Sequence, residues 1–305
     1  MTYRTENKVK ANFDDAYVQP TPHDYVRKMA LHAYQIGDRT RPYCIAAAEL
    51  LKERNAEAWP LQMLDVGCSY GMGSAFIRYG CSFAEIVSFF ASRAPMDYSS
   101  CCAAMRKWLN VIPPARDMRC VGMDSAAPAI QFGLDAGLLD GGIGRNLEDP
   151  DVNPTETDLK WFRSSNLLVS TGAIGYVTET TLSKVLPHLG QDHPDGFGPL
   201  AVVSILRMFE VEPIVSAFER SGLCMTSVPG IRLPQRNFVD QAEQISVCRL
   251  LHERGINTRN YEDEGMLYAD LFVAAPAEQL SELIETMKLA QSQTSFAEEF
   301  SYSHR

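Results

Sequence analysis

No stretch of this 305-residue chain approaches the roughly 20 apolar residues that a membrane-spanning helix needs. The first dozen residues are polar and charged and lack the apolar core of a secretory signal. The eight cysteines, at 44, 68, 81, 101, 102, 120, 224 and 248, form no C-x-x-C and no Cys/His ligand spacing. Neither a metal site nor a disulfide scaffold is therefore expected, and reduced thiols in a cytoplasmic protein are the simplest reading. Basic residues are in deficit, 28 against 38 acidic ones, a net charge of −10. That argues against a nucleic-acid backbone as the main partner and fits a cationic or neutral small molecule better. No internal repeat is visible, and a chain of this length can bury a full core in one large domain.

Against those absences stands one run, Leu64-Asp65-Val66-Gly67-Cys68-Ser69-Tyr70-Gly71-Met72-Gly73. An apolar strand carries an acid near its end, breaks into a glycine turn, and feeds an apolar helical pattern. Such a strand–turn–helix unit lies at the carboxyl edge of an open α/β sheet, where ligands bind. The glycines serve positive φ or close approach. The spacing is not G-x-G-x-x-G, so a dinucleotide fingerprint is absent.

Strand and helix patterns alternate along the rest of the chain. Strands are expected at 61–66, 120–124, 143–147, 166–171, 200–206, 223–228 and 267–274, with a helix at 43–54 after Pro42 and a closing helix at 277–291. The fold class implied is α/β, a doubly wound, seven-stranded, mostly parallel sheet. Residues 1–42, dotted with Phe13, Tyr17, Tyr25 and Tyr34, read as a helical lead-in or lid. Residues 43–291 form the main domain, with insertions near 80–116 and 230–265, and 292–305 a flexible tail.

The run Asp65-Val66-Gly67-Cys68-Ser69-Tyr70-Gly71 resembles the D-x-G-x-x-x-G motif of class I S-adenosylmethionine (SAM)-dependent methyltransferases. The resemblance implies SAM as cofactor and methyl transfer to a small metabolite, in keeping with secondary metabolism. Asp65, Gly67, Ser69 and Gly71 then cradle the methionine portion. Asp124, with Ser125 beside it, takes the ribose hydroxyls; its other reading is a first-turn cap for the next helix. Asn146 and Leu147 fall where adenine contacts would lie, and read equally well as a surface turn. Ser170 and Gly172 face the methyl donor. Tyr176 is placed to meet the sulfonium with its ring, Tyr25 to close over the pocket, and Ser204 to hydrogen-bond inside it. The chain lacks the D/N-P-P-Y run of DNA- and amide-methylating members. A homodimer is left open.

A narrower likeness points elsewhere. Tyr25, Asp140, the segment 172–176 (Gly-Ala-Ile-Gly-Tyr) and Ser204 look similar in order and spacing to a methyltransferase-like group that cyclises SAM to azetidine-2-carboxylate, releasing methylthioadenosine. That group carries an amide where Asp140 stands, so Asp140 departs from its pattern. A third reading is a SAM-binding fold kept as a non-catalytic partner.

Overall fold

A computed structural model describes residues 7–55, 61–93, 95–193 and 196–302, with side chains to residue 294. Seven strands form one sheet: β1 Leu61–Val66, β2 Met118–Asp124, β3 Gly141–Gly144, β4 Leu167–Thr171, β5 Leu200–Leu206, β6 Cys224–Asn237 and β7 Met266–Ala275. Their order is β3-β2-β1-β4-β5-β7-β6. The first five are parallel, and β7 runs antiparallel between β5 and β6. This is an α/β, Rossmann-like fold, doubly wound, with one antiparallel strand near its edge. The central strands are apolar throughout because helices cover both faces; every residue of β1 and of β5 is buried.

The order reverses direction at β1, so β1 and its neighbours β2 and β4 open a crevice at their carboxyl ends. Three helices, Met72–Ile77, Phe83–Ala91 and Tyr98–Asn110, fill the long connection from β1 to β2. Ser82 and Asp97 cap the second and third, each accepting a backbone N–H with its side chain. The lead-in forms a short helix, Asp14–Tyr17, and a longer one, His23–Leu31.

The structure departs from the sequence pattern in four places. β3 lies at Gly141–Gly144 rather than at 143–147, so Asn146 and Leu147 follow it. The helix expected to begin after Pro42 instead runs unbroken from Ile36 to Arg54, with Pro42 inside it. Buried residues on both sides of the proline, Ile36, Thr40, Tyr43 and Cys44, hold it in one piece. β6 continues to Asn237, well past the 223–228 expected. Two register irregularities against β7, between Ser227 and Arg232 and between Pro234 and Arg236, absorb the Pro229-Gly230 pair and Pro234. The closing helix spans Ala277–Tyr302 and so covers most of the expected tail. Among the described residues, no helix is long and apolar enough to cross a membrane, and no cluster of three His, Cys, Asp or Glu could hold a metal ion. All eight cysteines are free thiols.

Candidate active site

The turn after β1 winds through three positive-φ residues, Gly67 (+78°), Ser69 (+51°) and Gly71 (+81°). Gly67 is irreplaceable on two counts: its φ is positive, and a Cβ there would sit 2.2 Å from the Ala173 Cβ. The turn is tied to the end of β2. The Gly67 N–H donates to the Met123 carbonyl at 2.8 Å, and the Ser69 N–H donates to Asp124 Oδ2 at 2.8 Å. The other oxygen of Asp124 accepts the Ala126 N–H at 2.9 Å. Asp124 thus caps the following segment and, with lone pairs left on both oxygens, still faces the crevice. Burial raises its pKa, and backbone N–H groups hold the rise in check.

At the exit of β4, the Gly172 N–H donates to Ser204 Oγ at 2.9 Å. Ser170 Oγ donates to the Val66 carbonyl at 2.9 Å and so clamps β4 to β1. These hydroxyls fix the backbone of the crevice wall.

A cavity of about 650 Å³ opens at this edge. Its floor includes Gly67, Asp124, Ser125, Asn146, Leu147 and Gly172, and its roof is the lead-in, through Phe13, Tyr17, Tyr25 and Tyr34. The roof is fastened at several points. The buried Tyr70 hydroxyl, from the glycine turn, lies 2.9 Å from the Ala16 carbonyl and 2.8 Å from that of Gln19, to which it donates. Asn7 donates from Nδ2 to the Gly175 carbonyl. The Asn237 N–H donates to the His32 carbonyl at 2.7 Å, adding a strand-like contact between lead-in and β6. The rings interlock, Tyr17 with Tyr25 at 5.4 Å and Tyr25 with Tyr70 at 5.8 Å between centroids. Burial raises the phenols of Tyr17, Tyr25 and Tyr34 well above their usual range, so they present neutral hydroxyls and ring faces.

Of the residues singled out from sequence, Tyr25, Gly67, Asp124, Ser125, Asn146, Leu147, Gly172 and Tyr176 line this cavity. Asp65, Ser69, Gly71, Ser170 and Ser204 do not; they lie behind it and shape its walls. Asp65 is buried in β1, and a Cβ on Gly73 would fall 2.1 Å from its Oδ2, so its carboxylate packs under the next helix. Asp140 is a correction. It precedes β3 and therefore sits at the amino end of the sheet, opposite the crevice. There it accepts the Cys120 N–H at 2.8 Å and pairs with Arg78 at 2.8 Å. It braces β2 and β3.

The ring of Tyr176 is already taken. Lys10 lies 4.1 Å above its centroid and donates to its hydroxyl at 3.0 Å, so a cation of the chain occupies the face expected for a sulfonium. Burial and the nearby Arg236 lower the Lys10 pKa to about 8. Arg236 is itself buried, bound to Glu243 at 2.6 Å. No spacing singles out Lys10, Gln235 or Arg236 as cavity residues: a lone lysine in a lead-in carries no pattern, and Gln235 and Arg236 fall within the 230–265 insertion.

No family model and no curated protein sequence matches the chain. Solved structures that it resembles include a TehB-like SAM-dependent methyltransferase from Corynebacterium glutamicum, at 14% identity and a TM-score of 0.37, over 81% of this chain and 92% of that one. The plantazolicin methyltransferase BamL, in complex with a triazolic desmethylPZN analog and SAH, aligns at 11% identity and a TM-score of 0.41, over 90% and 97% of the two chains. The [4+2]-cyclase SpnF aligns at 11% identity and a TM-score of 0.34, over 75% and 79%. The chain's own strand order and pairing define its fold.

Proposed function

We propose that the protein is a SAM-dependent methyltransferase acting on a small-molecule acceptor. The observation that carries this reading is one cavity, at the switch point of the sheet, in which the glycine turn at Gly67, the strand-end Asp124 and the β4 exit at Gly172 meet beneath an aromatic roof. The residues fit the cofactor. Asp124 keeps acceptor capacity for a ribose diol, and Met123 and Leu147 offer buried apolar surface to a base. Gly67, which lines the cavity without a side chain, leaves its backbone open to a ligand.

Bound SAM supplies an electrophilic methyl on a sulfonium. The ring faces of Tyr17, Tyr25 and Tyr34 favour that cation by roughly 0.5–2 kcal/mol. The roof excludes water and holds the acceptor near the methyl, so proximity and desolvation carry most of the rate. Lys10, a cation at neutral pH, lines the cavity and can take a proton from the acceptor only as its neutral amine, whose share grows as pH rises toward its pKa of about 8.

SAM cyclisation is the second reading, favoured by the placement of Tyr25 and Gly172 around one cavity. Incubation with SAM alone, followed by mass spectrometry, separates the two. Methyl transfer leaves SAM intact until an acceptor is added and then yields S-adenosylhomocysteine. Cyclisation yields methylthioadenosine and a four-membered amino acid without any acceptor. Failure to bind SAM overturns both.

A further inference from the structure

Two hydrogen-bond donors that have no part in the methyl-transfer scheme meet at the exit of β4. The first is the Gln235 amide, and it owes its place to a β-bulge. β6 pairs with β7 through Pro234 opposite Tyr268 and Arg236 opposite Leu267, which leaves Gln235 as the extra, unmatched residue. A bulge breaks strand alternation and re-aims a side chain. Arg236 turns to Glu243, while Gln235, 8% exposed, turns to the cavity. The two ends of its amide meet different surroundings. The oxygen is sealed off, so the nitrogen is the end that the cavity reaches. A Cβ on Gly172, itself a cavity residue, would lie 3.1 Å from Gln235 Nε2. Among the described residues, no acceptor takes a hydrogen bond from that nitrogen. A nearly buried N–H donor open only to a ligand cavity is a donor for the ligand.

The second donor is the Tyr34 hydroxyl, 3.9 Å from the same Cβ position. Because residue 172 is glycine, that point is left to the ligand, and a ligand atom beside it comes within reach of both groups. Tyr34 can accept from Tyr25 and still pass its own hydrogen on. An amide nitrogen cannot accept, so the pair selects an oxygen, and a carboxylate offers the most lone pairs. Position says which carboxylate. Leu147 follows β3, so apolar surface for the base lies on the β3 side of Asp124. A nucleoside anchored there runs its other end across β1 to the exit of β4, two strand spacings or about 10 Å away. We propose that Gln235 Nε2 and the Tyr34 hydroxyl donate to the carboxylate of the methyl donor's own amino-acid portion. The assignment rests on the SAM reading and adds to it two residues, one from β6 and one from the roof, that set the position of the arm.

The test is calorimetry at pH 7 with two probes: S-adenosylhomocysteine, and its decarboxylated analogue, which keeps the nucleoside and the ammonium and lacks only the carboxylate. Gln235→Met, of similar length and without a donor, should weaken S-adenosylhomocysteine about ten-fold and leave the analogue unchanged. Tyr34→Phe keeps the ring and should likewise weaken S-adenosylhomocysteine alone, by several-fold. Unaltered binding of the analogue shows in the same experiment that each variant keeps its cavity. Unchanged S-adenosylhomocysteine affinity in Gln235→Met, or equal losses for the two probes in either variant, overturns the assignment. An amide that met the ammonium instead would give those equal losses. Failure of the SAM reading looks different, since the wild type then binds neither probe, and this assignment falls with it.

Discussion

Asp65 and Asp124 stand at adjacent strand ends, and their surroundings divide their work. Asp124 faces the cavity and is held by backbone N–H groups; Asp65 is sealed beneath the helix start. Burial, with Asp124 adding to it, raises the Asp65 pKa from 3.8 to about 7. A carboxyl raised on folding stabilises the native state below its unfolded pKa, and that contribution is lost as pH rises through the folded one. Asp65→Asn removes the titration. The variant's melting temperature relative to the wild type should therefore climb between about pH 4 and 7 and level off above. A difference that stays constant across that range sinks the assignment. Asp124→Ala should instead leave the fold standing and cost ~1.5–3 kcal/mol of SAM affinity, through lost charge-assisted hydrogen bonds; titration calorimetry reads it directly. Both acids were legible in the sequence, because a strand-end carboxylate beside a glycine turn is a local pattern. Their division was not, because burial depends on what packs above.

At the scale of elements, the roof of the cavity is the feature that the sequence showed only as aromatic density. Tyr70 is fully buried and lies in the glycine turn, so the same loop that shapes the floor fastens the roof. Tyr70→Phe keeps the ring contacts with Tyr25 and Phe132 and removes the hydroxyl's hold on the Ala16 and Gln19 carbonyls. The expected loss is about 0.5–1.5 kcal/mol, felt locally. Amide hydrogen exchange should quicken over residues 13–20 while β1, β4 and β5 keep their protection. Uniform quickening across the sheet would show that the hydroxyl supports the whole fold rather than the roof. The bulged end of β6 stayed hidden for a physical reason. Proline and glycine are breakers in a local reading, and only pairing with β7 shows that the strand continues through them.

Across the whole molecule, a net charge of −10 said little about the cavity, whose charged lining is balanced, Lys10, Arg145 and Arg236 against Asp14, Asp124 and Glu148. Arg236 and Glu243 join three parts of the structure. Glu243 belongs to the helix Gln241–Glu253, Arg236 to β6, and the lead-in enters through the Ala11 N–H, which donates to Glu243 Oε1 at 2.7 Å. Both side chains are nearly inaccessible, at 5% and 4% exposure. Their mutual attraction offsets a large desolvation cost, so the pair itself adds little, whereas one partner left alone is costly. Glu243→Gln keeps the shape and an acceptor for the Ala11 N–H and strips Arg236 of its counter-charge. The expected destabilisation is ~3–5 kcal/mol, or roughly 10 °C in melting temperature for a chain of this size. Because the lead-in roofs the cavity, SAM affinity should fall with it. The double variant Arg236→Met, Glu243→Leu buries no charge and should recover most of the melting temperature. It should not recover full affinity, since the Ala11 N–H then has no acceptor. A Glu243→Gln protein that melts like the wild type would show that the pair lies open to water and that the lead-in is held by its other contacts alone.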